Sequence, residues 1–114
     1  MLEEISRQTF QEKVLRAKGL VVVDFYEQWC PTCLELDPKL RELARDYSGK
    51  AAVYKVDVYE NETIRDAYQV VGVPTLVLFS DGRMIGRQVG FGDIDPIGPV
   101  KGFIDSELRQ RGLG

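Results

Sequence analysis

The chain has 114 residues, of which 44% are apolar and 29% charged, and 15 basic against 18 acidic side chains give a formal net charge of −3. A domain of 114 residues removes about two-thirds of its unfolded surface from water, so it can form a core without disulfides. This length and the ordinary balance of apolar and charged residues exclude a disordered segment and a small disulfide-stapled scaffold. We therefore expect one domain over residues 1–114.

The distribution of charge also limits the expected partners. Lysine and arginine form no run that would follow a phosphate backbone, so nucleic acid is not expected as a partner. The first ten residues carry glutamates where a signal peptide needs basic ones, and no apolar stretch reaches membrane-spanning length, so no membrane is expected. These features predict a cytoplasmic protein. Because cysteines are kept reduced in the cytoplasm, a close cysteine pair there is more often a metal-binding or catalytic site than a structural disulfide.

The first predicted elements alternate between helix and strand. Thr9 and Glu12 have the spacing of a capping box, and helix-forming residues continue to Lys18 before Gly19. Residues 20–26 form an almost wholly apolar, β-branched run typical of a strand buried on both faces.

The next element changes period. Leucine, alanine and tyrosine side chains recur at helical intervals until Ser48 and Gly49 end the pattern, at Leu36, Leu40, Leu43, Ala44 and Tyr47. Cys30 and Cys33 therefore lie where a strand is followed by a helix.

Two further strands follow. Residues 51–59 are predicted as a core strand, residues 61–69 as a short helix with Asn61 as its cap, and residues 75–80 as a third strand. Residues 80–83, "SDGR", have the composition of a hairpin turn, after which residues 84–90 return as an edge strand.

The last segment combines a loop with a helix. Glycine and proline in residues 91–100 predict an irregular loop, and an amphipathic closing helix is predicted from apolar positions at Val100, Phe103, Ile104 and Leu108. Strands alternating with helices and ending in a hairpin indicate an α/β domain whose sheet is covered on both faces. Its site is expected at the carboxyl ends of the parallel strands.

The cysteine pair has the spacing of a redox centre. With Cys30 at the cap of the following helix, its sulfur meets unpaired N–H groups and the positive end of the helix dipole, which favour thiolate over thiol. Cys33 lies one turn further, within disulfide reach and turned inward, whereas Cys30 is expected to be exposed. Cys30 would attack the disulfide of a target, and Cys33 would resolve the mixed disulfide that forms.

Two other interpretations of the pair are weaker. A structural metal usually takes four protein ligands, and the chain offers two cysteines and no histidine, which leaves only a site shared between two chains. A static disulfide across two residues closes a very short loop and stabilises the fold little.

Asp24 interrupts the apolar strand. Burial would raise the pKa of its carboxyl, and the functional interpretation is a proton acceptor and donor for Cys33. Lys55 on the neighbouring strand is its candidate partner. The alternative is a local bulge that lets Asp24 reach water.

Val73 and Pro74 precede the third strand. The proline could serve only as a strand-entry residue, or its bond could be cis, and from the local sequence alone the trans form is favoured because cis is rare among X–Pro bonds.

Taken together, these residues resemble the thioredoxin family. The resemblance is carried by "VVVDFYEQWCPTC", Pro38 in the helix, Lys55, "VGVPTLVLF", "SDGR" and "QVG", and it covers about residues 5 to 90 plus the closing helix. It implies a thioredoxin fold, with a central mixed sheet of four to five strands flanked by helices, and a cis bond at Pro74.

The resemblance also implies a substrate groove. Val73 would offer backbone hydrogen bonds to an extended peptide. The other residues implied to line a shallow apolar groove around Cys30 are Trp29, Pro31, Thr32, Gly90 and Phe91.

The implied activity is reduction of protein disulfides without a bound cofactor. Electrons would come from a thioredoxin-reductase-type flavoenzyme that uses NADPH, and we expect a monomer. Pro31-Thr32 stands where thioredoxins usually carry Gly-Pro, and a shift of 30 mV needs only about 1.4 kcal/mol. A more oxidising disulfide oxidase or isomerase therefore stays open, as does a partner-binding module without turnover.

Overall fold

The fold is built on a mixed five-stranded sheet in the order β1-β3-β2-β4-β5. The computed structural model describes residues 2–90 and 95–112. The strands are β1 (Glu3–Glu4), β2 (Leu20–Tyr26), β3 (Ala51–Asp57), β4 (Thr75–Ser80) and β5 (Arg83–Val89). The helices are α1 (Arg7–Phe10), α2 (Pro31–Asp46), α3 (Glu62–Ala67) and α4 (Ile97–Gln110). The predicted mixed sheet and α/β class are confirmed.

The central strand β2 is buried on both faces. It pairs in parallel with β3 and antiparallel with β4, so its backbone groups are used on both sides. Leu20 and Val22 pack on one face with leucines of α2 and with α4, whereas Val21, Val23 and Phe25 pack on the opposite face. This alternation places Asp24 on the face that α2 covers.

The first helix begins earlier than the sequence predicts. Its N-cap is Ser6, and the capping box joins Ser6 to Thr9 instead of Thr9 to Glu12. The chain then continues as a π-helical segment, Gln11–Leu15, and ends short of Lys18. Ser6 and Thr9 are separated by the spacing of a capping box, and Thr9 is its third helical residue, not its cap. The predicted cap, Thr9, is therefore wrong.

Other details also differ from prediction, including the start of α4 at Ile97, inside the segment predicted as a loop. The two-residue strand β1 is too short to show an alternating pattern and was not predicted. Asn61 is the N-cap residue of α3 as predicted, but its side chain bonds elsewhere: its Oδ1 accepts the N–H of Arg7 and its Nδ2 donates to the Asp57 carbonyl. Phe103 is exposed, although its ring covers Gly86 of β5.

The hairpin between β4 and β5 matches its prediction. Asp81 and Gly82 both have positive φ, 52° and 83°, which is the geometry of a type I′ turn. The Asp81 carboxylate also accepts the N–H of Gly19, which ties this turn to the start of β2. Within residues 2–90 and 95–112, no helix is long and apolar enough to cross a membrane.

Candidate active site

Cys30 and Cys33 form a disulfide at the amino end of α2. Cys30 is the N-cap residue, with extended backbone, and Pro31 occupies the first helical turn, where a missing N–H costs no hydrogen bond. The Cα atoms of the two cysteines lie 5.1 Å apart. The N–H of Cys33 donates to the Cys30 Sγ at 3.1 Å, so an otherwise unpaired helix donor points at this sulfur. The predicted placement of the pair between strand and helix is confirmed.

Cys30 is less exposed than the sequence analysis predicted. Its exposed fraction is 8%, against 4% for Cys33. The physical reason is the loop before β4, because the carbonyl oxygen of Val73 lies 3.9 Å from the Cys30 Sγ.

The Val73–Pro74 peptide bond is cis, as the family resemblance implied and against the expectation from the local sequence alone. Two hydrogen bonds hold the loop: the Thr75 hydroxyl donates to the Gly72 carbonyl at 2.6 Å, and the Gly90 N–H donates to the Pro74 carbonyl at 2.9 Å. Within the described residues, neither the N–H nor the C=O of Val73 takes part in a backbone hydrogen bond.

Gly90 is buried and contacts this loop through its N–H bond to the Pro74 carbonyl. A Cβ atom at this position would lie 2.7 Å from the Pro96 Cγ, so only glycine allows the close approach. Gly90 therefore supports Pro74 and offers no exposed surface to a groove.

The surface near the disulfide carries both apolar and charged residues, the charged ones including Glu27 and Asp66 beside Val73. Trp29 is 77% exposed, and its ring centroid lies 6.5 Å from that of Tyr59. Pro31 is exposed and Thr32 half-buried. A cavity of 430 Å³ opens beside Val73, with Tyr59 and Val71 among its lining residues. Phe91, which the resemblance placed at this groove, lies outside the described residues.

Asp24 is buried in regular β-structure. It is 2% exposed and pairs in unbroken register with Lys55 of β3 and Leu76 of β4, so the bulge considered as an alternative is wrong. Among the residues that the structure describes, its Oδ1 atom has no hydrogen-bond partner. Burial, and next the negative charge of Asp37, raise the pKa of this carboxyl to about 8, while Lys55 acts in the opposite direction.

Lys55 lies opposite Asp24 in the ladder, yet its ion pair is with a different residue. Its Nζ lies 3.8 Å from the Asp37 Oδ1 and 5.1 Å from the centroid of the Tyr26 ring. Asp37 also meets Arg41, whose Nε lies 3.2 Å from the Oδ2. The prediction that Lys55 pairs with Asp24 is therefore wrong. The Lys55 ammonium forms its ion pair with Asp37, which lies one helical turn beyond Cys33.

A second acidic cluster lies at the end of β3. Glu4, Asp57 and Glu60 place carboxylate oxygens within 4.8 Å of one another. The Asp57 Oδ1, however, accepts the N–H groups of Tyr59 and Glu60 and so closes the turn after β3. This arrangement explains the burial of Asp57 without a metal.

Three residues near the site are absent from the set of site residues predicted from the sequence. Tyr59 and Val71, the latter 96% exposed, come from loops that follow β3 and α3, and loop placement has no periodic signal. Asp37 could have been found, because it lies at i+4 from Cys33 and at i−4 from Arg41 on the same helix.

Comparison with known proteins gives a consistent result. The thioredoxin family model matches residues 1–97. The thioredoxin of Pseudomonas aeruginosa is 44% identical over 82 residues, which are 72% of this chain and 76% of that protein. The thioredoxin of Buchnera aphidicola is 38% identical over 87 residues, which are 76% of this chain and 81% of that protein.

A solved structure agrees with these sequence comparisons. A mutant thioredoxin from Halobacterium salinarum NRC-1 superimposes with a TM-score of 0.78 at 38% identity, covering 91% of this chain and 88% of that one. The chain belongs to the thioredoxin family. With Cys30 and Cys33 paired at the helix cap, it is a thiol-disulfide oxidoreductase that reduces disulfides.

Proposed function

We propose that Cys30 is the attacking sulfur and Cys33 the resolving one. In the reduced protein the Cys30 thiolate attacks one sulfur of a substrate disulfide, a mixed disulfide forms, and the substrate's other sulfur leaves as a thiolate that takes a proton. Cys33 then attacks the Cys30 Sγ and releases the second substrate thiol. Two electrons pass from the dithiol to the substrate, and the Cys30–Cys33 disulfide remains. The N-cap position of Cys30 is the observation that carries this assignment.

Asp24 is proposed to move the proton of the second step. Cys33 must lose its proton before it attacks, and the ionised Asp24 carboxyl, buried on the face that α2 covers, accepts it directly or through water. The protonated carboxyl can then return the proton to the departing thiolate. The raised pKa of Asp24 supports this role, because a base that titrates near neutral pH both accepts and returns a proton readily.

The groove is proposed to bind an extended segment of a substrate protein. The unpaired backbone groups of Val73 suit the addition of a short strand, and its carbonyl, 3.9 Å from the Cys30 Sγ, would align that segment with the disulfide. Trp29, Pro31 and Thr32 would contact its side chains. Phe91 stays a prediction at this surface.

The oxidised protein is proposed to be reduced by a thioredoxin-reductase-type flavoenzyme that draws electrons from NADPH, in the cytoplasm. Membership of the thioredoxin family supports both assignments. No bound cofactor is required, because the dithiol itself carries the two electrons.

Trapping of mixed disulfides tests the roles of the two cysteines. Cys33→Ser should accumulate a covalent adduct with a disulfide-containing protein such as insulin, because the resolving sulfur is absent. Cys30→Ser is the matched control and should trap nothing. Equal trapping by both variants would contradict the assignment, as would trapping through Cys33 alone.

The reduction potential tests the direction of the reaction. Pro31 and Thr32 occupy the first turn of α2, where their effect on the dithiol is direct. Equilibration with glutathione buffers, followed by alkylation and mass measurement, should place the potential near about −270 mV for a reductant. A value near about −120 mV would instead indicate that the protein acts as a disulfide oxidase. In that case the double variant Pro31→Gly/Thr32→Pro should shift the potential back toward the reductant range.

A further inference from the structure

Three charged residues meet beneath α2. Asp24 and Lys55 are neighbours across the β2–β3 ladder, and both lie on the sheet face of Val22 and Val53, which α2 covers. Asp37 reaches the same region from α2. On the other side of Asp24, β4 contributes an apolar residue, Leu76.

The Lys55 ammonium is not shared equally between the two carboxylates. It lies 3.8 Å from the Asp37 Oδ1 and 5.1 Å from the centroid of the Tyr26 ring, which is two residues beyond Asp24 on the same face of β2. Among the described residues, Asp24 forms no ion pair within 4.0 Å, and its Oδ1 has no hydrogen-bond partner. The side chain of Lys55 is therefore directed past Asp24 and toward Asp37.

We propose that Asp37 is a positioning residue that holds the Lys55 ammonium away from Asp24 and thereby keeps Asp24 protonated to higher pH. The inference extends the role proposed above for Asp24. Asp37 touches neither substrate nor sulfur in this account, since it acts through Lys55 and through its own charge.

The electrostatics of the three groups support this proposal. Asp37 raises the pKa of Asp24 and Lys55 lowers it, so drawing the cation toward Asp37 weakens the effect that opposes the rise. The charged groups that act on the Asp24 carboxyl are Lys55 from β3 and Asp37 from α2, and Cys33 lies on α2 one helical turn before Asp37. With the Asp24 pKa at about 8, the carboxylate is the minor form at pH 7, and proton transfer from Cys33 should accelerate as the pH rises.

Titration of the Asp24 carboxyl carbon by ¹³C NMR tests the proposal in the reduced protein. Asp37→Asn removes the charge at nearly constant volume and should lower the Asp24 midpoint by about one pH unit. Glu35→Gln is the matched control, because it removes an exposed carboxylate from the same helix. In this variant the Asp24 midpoint should stay within about 0.3 pH unit of that in the unmodified protein. Asp37→Glu should restore most of the shift. Equal midpoints in Asp37→Asn and Glu35→Gln would overturn the proposal.

A Lys55→Gln background separates positioning from simple repulsion. If Asp37 acts partly by holding the ammonium, Asp37→Asn should shift the Asp24 midpoint clearly less in this background than in the presence of Lys55. An undiminished shift would mean that Asp37 acts through its own charge alone, and it would overturn the positioning role.

The rate of mixed-disulfide resolution distinguishes this proposal from the proposed function. Stopped-flow release of the second thiol from a small aromatic disulfide should show the same displacement of the pH profile, with about tenfold faster resolution at pH 6 in Asp37→Asn. A shifted NMR midpoint with an unchanged kinetic profile would support the hold of Asp37 on Lys55 and overturn the proton-transfer role of Asp24.

Discussion

Asp24 places a carboxyl group in the middle of the central strand, and one of its oxygens has no partner within residues 2–90 and 95–112. Burial is the main cause of its raised pKa, so the folded protein binds a proton there that the unfolded chain releases above about pH 4. Between about pH 4 and pH 8 the folded state therefore holds more protons than the unfolded state, and stability falls as the pH rises. Above about pH 8 both states are ionised and this cost stays constant.

The first prediction concerns Asp24→Asn. The neutral amide avoids the cost of ionisation, so the variant should be more stable than the unmodified protein by on the order of 3 kcal/mol at pH 7, with the difference near zero at pH 4. Urea unfolding at both pH values measures this, and resolution of mixed disulfides should slow in the same variant. A stability difference that did not change with pH would contradict the buried-acid account.

The sequence revealed the residues with chemistry but not their partners. Cys30, Cys33 and Asp24 were found because a C-x-x-C pair at a helix start and a carboxylate in an apolar strand are both conspicuous along the chain. The Lys55–Asp37 ion pair was missed, since it depends on the angle at which α2 crosses the sheet and on which of two carboxylates is nearer. The shielding of Cys30 by Val73 was missed for the same reason, as it joins residues 43 positions apart.

At the scale of elements, turns and helix ends decide where the sulfurs and their neighbours lie. Asp81 and Gly82 give the β4–β5 hairpin its I′ geometry, and the Asp81 carboxylate fastens the turn to Gly19. That bond, and next the guanidinium of Arg111, lower the pKa of Asp81. The hairpin in turn brings Gly90 beneath Pro74, so a remote turn supports the loop that covers Cys30.

The second prediction uses two glycines as a matched pair. Gly82→Ala introduces a Cβ at a positive φ of 83° that also meets the backbone of Leu15, and it should destabilise the fold by about 1–3 kcal/mol. Gly102→Ala adds a methyl group to an α4 position with open space around it, and it should stabilise by about 0.5–1 kcal/mol. Urea unfolding at one pH measures both, and a change of the same sign in both variants would contradict this account.

Element order was predicted well because it follows from period and composition. Strands of six or seven apolar residues and a sixteen-residue amphipathic helix leave strong patterns, whereas the two-residue β1 leaves none. The start of α1 was misplaced because Thr9 and Glu12 fit the usual capping-box sequence, whereas the observed box has Thr9 where the rule expects Glu or Gln. Phe103 was assigned to the core by its spacing, but the face of α4 that meets the sheet is narrower than that spacing implies.

At the scale of the whole molecule, α4 belongs to the same core as the central sheet. Val100, Ile104 and Leu108 pack in one cluster with Leu20 and Val22 of β2. This helix lies mostly beyond residue 97, where the match to the family model ends, yet its contacts make it part of the folding unit. The proposal of a single domain over residues 1–114 depends on this packing.

The third prediction is one cooperative unfolding transition for a monomer. Amide protection in β2 and α4 should be lost at the same urea concentration, because the two elements share a core. Light scattering after size exclusion should give a mass near 12.9 kDa, since the edge strand β5 carries Arg83 and Arg87 and has an irregular register at Leu78 and Phe79. Loss of α4 protection well before that of β2 would contradict the single unit, and a doubled mass would contradict the monomer.

The exposed indole of Trp29 stands immediately before Cys30, and the chain has no other tryptophan. Its fluorescence should therefore respond to a single event, the opening or closing of the neighbouring sulfur bridge, because a disulfide quenches an excited indole nearby. The protein carries an intrinsic optical reporter of its own oxidation state, so turnover can be followed in real time without a dye.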